Sequence, residues 1–146
     1  MSCIDVTLPP PPKPAKLVLV VAVALLDVDG RVLIAQRPAG KEMAGLWEFP
    51  GGKVNDLETP EMALCRELRE ELNIETSPSC LYPLTFASHA YEKFHLLMPL
   101  YVCRMWRGTP QSVEGQKLQW VRINQLDEFE MPPADVPLIA ALRDKL

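Results

Sequence analysis

Three glutamates near the middle of the chain have the spacing that places them on one side of a helix. Glu67, Glu70 and Glu71 stand at positions i, i+3 and i+4, which are neighbours on one helical face. Like charges at this spacing destabilise an isolated helix by about 0.2–0.5 kcal/mol per pair. A hard divalent cation such as Mg²⁺ or Mn²⁺ would offset that repulsion, because it prefers carboxylate oxygens. The alternative is a solvated acidic face in which Arg66 and Arg69 act as counter-charges.

The surrounding residues predict the helix that would hold these carboxylates. Thr59 followed by Pro60 is typical of an N-cap and a first helical position. Apolar residues then recur at steps of three and four, at Met62, Cys65, Leu68 and Leu72. The pattern therefore predicts a helix over residues 60–72. Asn73 follows at the C-cap, where asparagine is the next-best residue after glycine for a left-handed backbone.

The stretch GGKVNDLETPEMALCRELREELNI, residues 51–74, resembles the signature of the Nudix hydrolases. That signature is G-x5-E-x7-R-E-U-x-E-E-x-G-U, with U aliphatic, and the matching residues are Gly52, Glu58, Arg66-Glu67-Leu68, Glu70-Glu71-Leu72 and Ile74. One position departs from it, since Asn73 stands where the family has glycine. The resemblance implies that the three helical glutamates bind Mg²⁺ or Mn²⁺. It also implies that Gly52, Glu58 and Arg66 support the site.

The resemblance implies an α/β fold, a Nudix-type α/β/α sandwich with a mixed β-sheet. With 146 residues, 48% of them hydrophobic, the chain is long enough for one domain with a buried core. We assign residues 17–146 to that domain. Residues 1–16 contain four consecutive prolines and are predicted to be a flexible extension.

Charge and cysteine content exclude several classes of partner. The net charge of −4 argues against binding a nucleic-acid polymer, because such proteins usually carry a basic face. The apolar run 17–26 is too short to span a bilayer, so no membrane association is predicted. Four cysteines without metal-ligand spacing favour reduced thiols and a cytoplasmic location. No obligate protein partner is predicted.

Hydrophobic patterning predicts the strands around the helix. Residues 17–26 and 32–36 flank the turn Asp27-Val28-Asp29-Gly30 and are predicted to pair through it. A second hairpin is predicted from residues 81–91 and 94–106, in which Pro99 suggests an edge position or a bulge. A further strand over residues 118–123 precedes a closing helix that ends near Lys145.

Outside the signature, the run AQRP…GLWEFPGGK and the segment Val113-Glu114-Gly115-Gln116 resemble the MutT-like branch of the family. By that resemblance Arg37 and Lys53 contact phosphates, and the Gly51 carbonyl joins the metal shell. Glu114 would be a further carboxylate at the metal. The residue that activates the attacking water is then Glu67, Glu70 or Glu114.

Base recognition is assigned to Asp135 and Phe49. MutT-like chains have an asparagine where Asp135 stands, and they use it to read the edge of an oxidised guanine. An amide both donates and accepts hydrogen bonds, whereas an ionised carboxylate only accepts them. Asp135 could therefore accept from the N7–H of 8-oxoguanine or from the exocyclic amine of cytosine. It could also cap the last helix.

The function implied is a Mg²⁺-dependent hydrolysis of 8-oxo-dGTP to 8-oxo-dGMP and pyrophosphate, which cleanses the nucleotide pool and prevents mutation. A second possibility keeps the chemistry and changes the substrate to CTP or a modified pyrimidine triphosphate. A third is a non-catalytic module that binds nucleotide, for which lost signature carboxylates would be expected. Hydrolysis of ADP-ribose is disfavoured, because the resemblance to MutT-like chains extends beyond the signature.

Overall fold

The computed structural model describes residues 7–9 and 16–146. Within these ranges the chain forms seven strands: β1 Lys16–Leu25, β2 Arg31–Gln36, β3 Trp47–Glu48, β4 Gly51–Lys53, β5 Leu81–Ala90, β6 Phe94–Cys103 and β7 Lys117–Arg122. Its α-helices, over the same residues, are α1 Pro60–Leu72 and α2 Val136–Lys145, with short 3₁₀ helices at Pro78–Cys80 and Ile123–Glu128. Most of the predicted extension, residues 1–16, lies outside the described residues.

The strands form two sheets. The larger has the order β4-β1-β6-β5, in which β1 and β6 are parallel and the other neighbours antiparallel. The smaller sheet, β3-β2-β7, is antiparallel throughout. The predicted α/β class and the mixed sheet are confirmed.

Strand β1 is buried on both faces and separates two hydrophobic clusters. Val21, Val23 and Leu25 point toward the cluster that contains α1, and the alternate residues Ala22 and Ala24 point toward the cluster that contains α2. Because both faces of the strand meet a helix layer, its sequence is continuously apolar. No helix among the described residues is long and apolar enough to cross a membrane.

The predicted hairpin between residues 17–26 and 32–36 is wrong. Both strands exist, but β1 and β2 belong to different sheets and share only the isolated bridge between Leu26 and Val32. The turn itself is tight, since Asp27 Oδ1 accepts from the backbone N–H of Arg31 at 2.8 Å. Beyond the turn, β1 pairs with β4 and β6 while β2 pairs with β3 and β7. The chain thus uses the turn to pass between sheets.

The hairpin of β5 and β6 is confirmed, but Pro99 is not on an edge strand. Strand β6 lies between β1 and β5, and Pro99 is opposite Phe86. In the register of β1 with β6, the pair Leu19–Leu97 is followed by Ala22–Leu100, so residues 98 and 99 have no partner on β1. Pro99, which lacks a backbone N–H, therefore lies where the ladder is interrupted. An irregularity in β5 between Pro83 and Thr85 lies nearby.

Helix α1 begins and ends where the sequence predicts. Thr59 Oγ1 accepts from the N–H of Met62 at 3.2 Å, and Pro60 is the first helical residue. Asn73 adopts the left-handed conformation with φ 55° and ψ 39°, and its N–H donates to Arg69 O. Leu64, Leu68 and Leu72 are fully buried against β1. This packing fixes the adjoining acidic side of the helix, with Glu67 against β4 and Glu71 beside the loop that follows β2.

Candidate active site

Two glycines of β4 allow the backbone to approach both the sheet and helix α1. A Cβ on Gly51 would collide with the Val21 carbonyl of the neighbouring strand. A Cβ on Gly52 would overlap the Glu67 carboxylate. The glycine pair therefore brings the start of β4 against Glu67, the first of the three helical glutamates.

Arg66 gathers three acidic side chains around one guanidinium. Its Nε donates to Glu58 Oε2 at 2.7 Å, and its Nη1 contacts Glu67 Oε1 at 2.9 Å and Glu70 Oε2 at 3.3 Å. Its Nη2 also donates to the Lys53 carbonyl at 3.1 Å. Hydrogen bonding by Arg66 lowers the pKa of Glu58, and the pKa of Arg66 is raised in return. Arg66 and Glu58 thus tie the loop before the helix to its acidic face.

Glu71 lies where several negative charges meet. Burial raises the pKa of Glu71, and the charge of Glu67 and its hydrogen bond to Glu71 raise it further. With the charges of Glu114 and Glu48, the pKa reaches about 9. A carboxylate with that pKa holds a proton at neutral pH. Burial away from water and, after it, the negative charge of the neighbouring glutamates both disfavour the ionised form of Glu71.

This donor set fits a hard divalent cation. The clustered groups are carboxylate oxygens, and a bound cation would replace the proton on Glu71. The absence of a side chain at Gly52 is also what makes space for the Glu67 carboxylate. Over the described residues, no group of three or more His, Cys, Asp or Glu side chains already stands close enough to be a formed metal site.

A pocket of about 90 Å³ opens beside Glu71. Its lining comes from the loop after β2, from the β3–β4 region, from the last turn of α1 and from the loop before β7, and includes Arg37, Lys41, Glu48, Glu71, Glu114 and Gln116. Glu114 is thus brought to the same pocket as Glu71, although 43 positions separate them in the sequence. A larger groove of about 810 Å³ near Trp106 contains none of the predicted site residues.

Glu48 belongs to the pocket and was missed by sequence reasoning. Arg37 Nη1 lies 3.2 Å from both oxygens of Glu48, and Arg37 Nε donates to Glu42 O at 2.7 Å. Burial raises the pKa of Glu48, and the charge of Arg37 opposes that shift. Arg37, the predicted phosphate contact, therefore lines the pocket and is engaged in an ion pair with Glu48. The available signal was an acidic residue placed between two aromatic ones, Trp47 and Phe49.

Asp135 and Phe49 are in contact and are both buried. Asp135 is 5% exposed and Phe49 is 3% exposed. The carboxylate Oδ2 of Asp135 accepts from the backbone N–H of Phe49 at 3.4 Å. Asp135 occupies the position before α2, but its side chain makes no capping hydrogen bond, so the predicted cap is wrong. Burial, with the nearby charge of Glu48, raises the pKa of Asp135 to about 7.

Lys53 and Glu70 are among the predicted site residues that do not line this pocket. The side chain of Lys53 is exposed and does not line it, and only the carbonyl of Lys53 contacts the acidic cluster, through Arg66. The side chain of Glu70 is 57% exposed and is held by Arg66. The structure therefore places Arg37, Glu71 and Glu114 around the pocket, with Glu67 hydrogen-bonded to Glu71, whereas Lys53 and Glu70 do not line it.

A model of the NUDIX domain matches residues 21–141, which is most of the chain. The chain belongs to the Nudix family. Its relatives include the CTP pyrophosphohydrolase of Escherichia coli strain K12, 41% identical over 128 residues that cover 86% of this chain and 91% of that one. They also include the 8-oxo-dGTP diphosphatase of the same strain, 33% identical over 126 residues, with 86% and 96% covered.

Among solved structures, the solution structure of the E. coli ORF135 protein superimposes on this Nudix fold with a TM-score of 0.78. It is 36% identical, and the match covers 89% of this chain and 91% of that one. The chain is accordingly a Nudix hydrolase. The acidic face of α1 and the pocket beside Glu71 therefore form the candidate active site of an enzyme.

Proposed function

We propose that this Nudix hydrolase is a Mg²⁺-dependent nucleoside triphosphate pyrophosphohydrolase that converts 8-oxo-dGTP to 8-oxo-dGMP and pyrophosphate. The observation that supports it best is the crowding of Glu67, Glu71, Glu114 and Glu48, where burial and then the neighbouring negative charges raise the pKa of Glu71 to about 9. Repulsion among buried carboxylates does not stabilise a fold. A site that binds a divalent cation together with a triphosphate does need carboxylates close to one another.

Glu67, Glu70, Glu71 and Glu114, with the Gly51 carbonyl, are the groups that would hold Mg²⁺ or Mn²⁺. When bound, such an ion supplies positive charge that offsets the charge of the phosphates and lowers the pKa of a bound water. Arg66 keeps Glu67 and Glu70 in place through its ion pairs at 2.9 and 3.3 Å. Glu58 in turn fixes Arg66, so neither residue needs to touch the substrate.

Glu114 is the residue we favour for accepting the proton of the attacking water. Glu67 and Glu70 are both paired with Arg66, whereas the Glu114 carboxylate has no ion pair among the described residues. The water oxygen would bond to the β-phosphorus, and the bond from that phosphorus to the oxygen bridging the α-phosphate would break. The products are nucleoside monophosphate and pyrophosphate.

Arg37 and Lys53 would contact the phosphates. Arg37 already lies in the pocket, where a phosphate could replace Glu48 as its partner, because guanidinium binds either group in a bidentate manner. Lys53 is exposed and would have to reach toward the substrate from the end of β4. Arg37 is therefore the better supported of the two.

Asp135 would read the base, with Phe49 beside it. A pKa near 7 allows the Asp135 carboxyl to be neutral, and a neutral carboxyl both donates and accepts, like the asparagine of MutT-like chains. Such a group matches the adjacent N7–H donor and O6 acceptor of 8-oxoguanine. Guanine lacks the N7–H, so the same pairing would discriminate against it.

CTP and modified pyrimidine triphosphates are the second candidate substrates. The 41% identity to a CTP pyrophosphohydrolase favours them. Cytosine offers an amine donor next to a ring-nitrogen acceptor, which a neutral Asp135 would also match.

A non-catalytic binding module is disfavoured, since every signature carboxylate is present. The free thiols Cys65, Cys80 and Cys103 support the proposed cytoplasmic location.

Pyrophosphate release from a panel of triphosphates with Mg²⁺ tests the proposal. The panel contains 8-oxo-dGTP, dGTP, CTP, dCTP and 5-methyl-dCTP. We expect 8-oxo-dGTP to have the highest kcat/KM, and a higher value for CTP or dCTP would select the second candidate. Absence of cation-dependent release from every member would refute the function.

Asp135→Asn in the same panel tests base reading. Because the amide is neutral at all pH values, activity on 8-oxo-dGTP should persist above pH 8, where the wild-type carboxyl ionises. Asp127→Asn, an exposed aspartate paired with Arg143, is the matched control. An unchanged substrate preference and pH profile would show that Asp135 does not read the base.

A further inference from the structure

The side chain of Gln116 joins the backbones of two acidic residues of the pocket. Its Nε2 donates to the Glu71 carbonyl at 3.1 Å, and its Oε1 accepts from the N–H of Glu114 at 2.9 Å. The side-chain amide of Gln116 therefore uses its donor on Glu71, near the end of helix α1, and its acceptor on Glu114 in the loop. Gln116 also lines the pocket itself.

Further hydrogen bonds attach this loop to the last turn of α1. The N–H of Gln111 donates to Leu72 O at 2.9 Å, and the N–H of Val113 donates to Glu71 O at 3.2 Å. The last carbonyls of a helix have no partners within the helix, so the loop supplies the donors they need. Glu114 is thus held by the same helix that carries Glu67 and Glu71.

Within the loop, Gln116 also organises its immediate neighbours. Ser112 Oγ contacts the Gln116 carbonyl and lies 3.2 Å from Gln116 Oε1. Gly115 has a φ of 80°, which lets the chain reverse between Glu114 and Gln116. This chain reversal places the side-chain amide of Gln116 next to the backbone N–H of Glu114.

We propose that Gln116 is a positioning residue, which holds Glu114 at a fixed place beside Glu71 so that its carboxylate meets the attacking water. The inference rests on the proposed function. The chemistry requires an amide: glutamate of the same shape would accept from Glu114 but could not donate to Glu71, and leucine could do neither. Residues that orient an active-site carboxylate contribute about 10–100-fold to activity or metal affinity.

Gln116→Leu tests the kinetic consequence. We expect kcat for pyrophosphate release to fall about 10–100-fold with little change in KM, because the substrate contacts are untouched. The Mg²⁺ concentration for half-maximal activity should rise. Gln119→Leu is the matched control, since Gln119 is an exposed glutamine on the neighbouring strand β7 and does not line the pocket. Wild-type kinetics for Gln116→Leu would overturn the proposal.

A double-mutant cycle with Glu114→Gln tests whether Gln116 acts through Glu114. If it does, the double variant should lose no more kcat than Glu114→Gln alone, because the group being positioned is already gone. Independent, multiplicative losses would overturn the proposal even if Gln116→Leu alone were slow.

Amide hydrogen exchange at Glu114 provides a measurement that does not depend on activity. The N–H of Glu114 should be protected in the wild type and in Gln119→Leu, and should exchange faster in Gln116→Leu, with the rest of α1 unchanged. Unchanged protection would overturn the proposal. If the wild type hydrolysed no triphosphate, the proposed function would fail, while the exchange data would still decide whether Gln116 holds Glu114.

Discussion

Glu71 is the residue whose replacement tests the charge balance of the pocket. Glu71→Gln should lower kcat at least about 100-fold, the scale of a lost direct contact to the reacting centre. The fold should remain intact, because the amide resembles the protonated acid that burial and Glu67 already favour. Pyrophosphate release with Mg²⁺ and thermal unfolding without it are the measurements.

Glu92→Gln is the control for that change, since Glu92 lies in the exposed turn between β5 and β6. It should leave both turnover and unfolding unchanged. Full magnesium-dependent turnover by Glu71→Gln would mean that the helical glutamates do not hold the cation.

For single residues, the spacing of the signature marked the helical glutamates, but no sequence pattern assigned a role to Glu48 or Gln116. The positions of Glu67, Glu70 and Glu71 follow from one helix, so their neighbourhood could be read from the sequence. Glu48 lies on the short strand β3 and Gln116 in the loop before β7, and no local pattern marks their contacts with Arg37 and Glu71. Burial of Asp135 against Phe49 likewise depends on two segments 86 positions apart.

The C-cap of α1 is an element whose sequence departs from the family signature. Asn73 has a φ of 55°, a conformation that costs other non-glycine residues about 1 kcal/mol or more. Asn73→Ala should therefore lower the free energy of unfolding by about 1 kcal/mol, whereas Asn73→Gly should change it by less than about 0.5 kcal/mol. Urea denaturation measures both, and equal stability of the two variants would refute the argument.

Elements defined by local signals were predicted well, as was the hairpin of β5 and β6, whereas the partners of β1 and β2 were not. Thr59, Pro60 and Asn73 fix the ends of α1 through contacts within a few residues. The partner of β2 is instead chosen by packing: its residues pair with β7, more than 80 positions later. Strands β3 and β4 have only two and three residues, too few for a periodic pattern. The second sheet was therefore not predicted.

For the whole molecule, the buried acids make stability depend on pH in a definite direction. The folded-state pKa of Asp135 is raised from 3.8 to about 7, and that of Glu71 from 4.5 to about 9. A group whose pKa is higher in the folded state than in the unfolded state stabilises the fold at a pH below its unfolded-state pKa. This contribution is lost as the pH rises through its folded-state pKa. The free energy of unfolding of the cation-free protein should therefore fall between about pH 5 and pH 9.

For Asp135 the shift corresponds to a loss on the order of 4 kcal/mol as the pH rises from about 4 to about 7. Asp135→Asn should flatten the lower part of the curve, because the amide does not ionise. Mg²⁺ should stabilise the protein more at about pH 8.5 than at about pH 5.5, since it binds only deprotonated carboxylates. Thermal unfolding over this range, with and without the cation, measures both effects. A cation-free Tm that rises with pH would contradict the buried-acid account, because ionising these groups would then stabilise the fold.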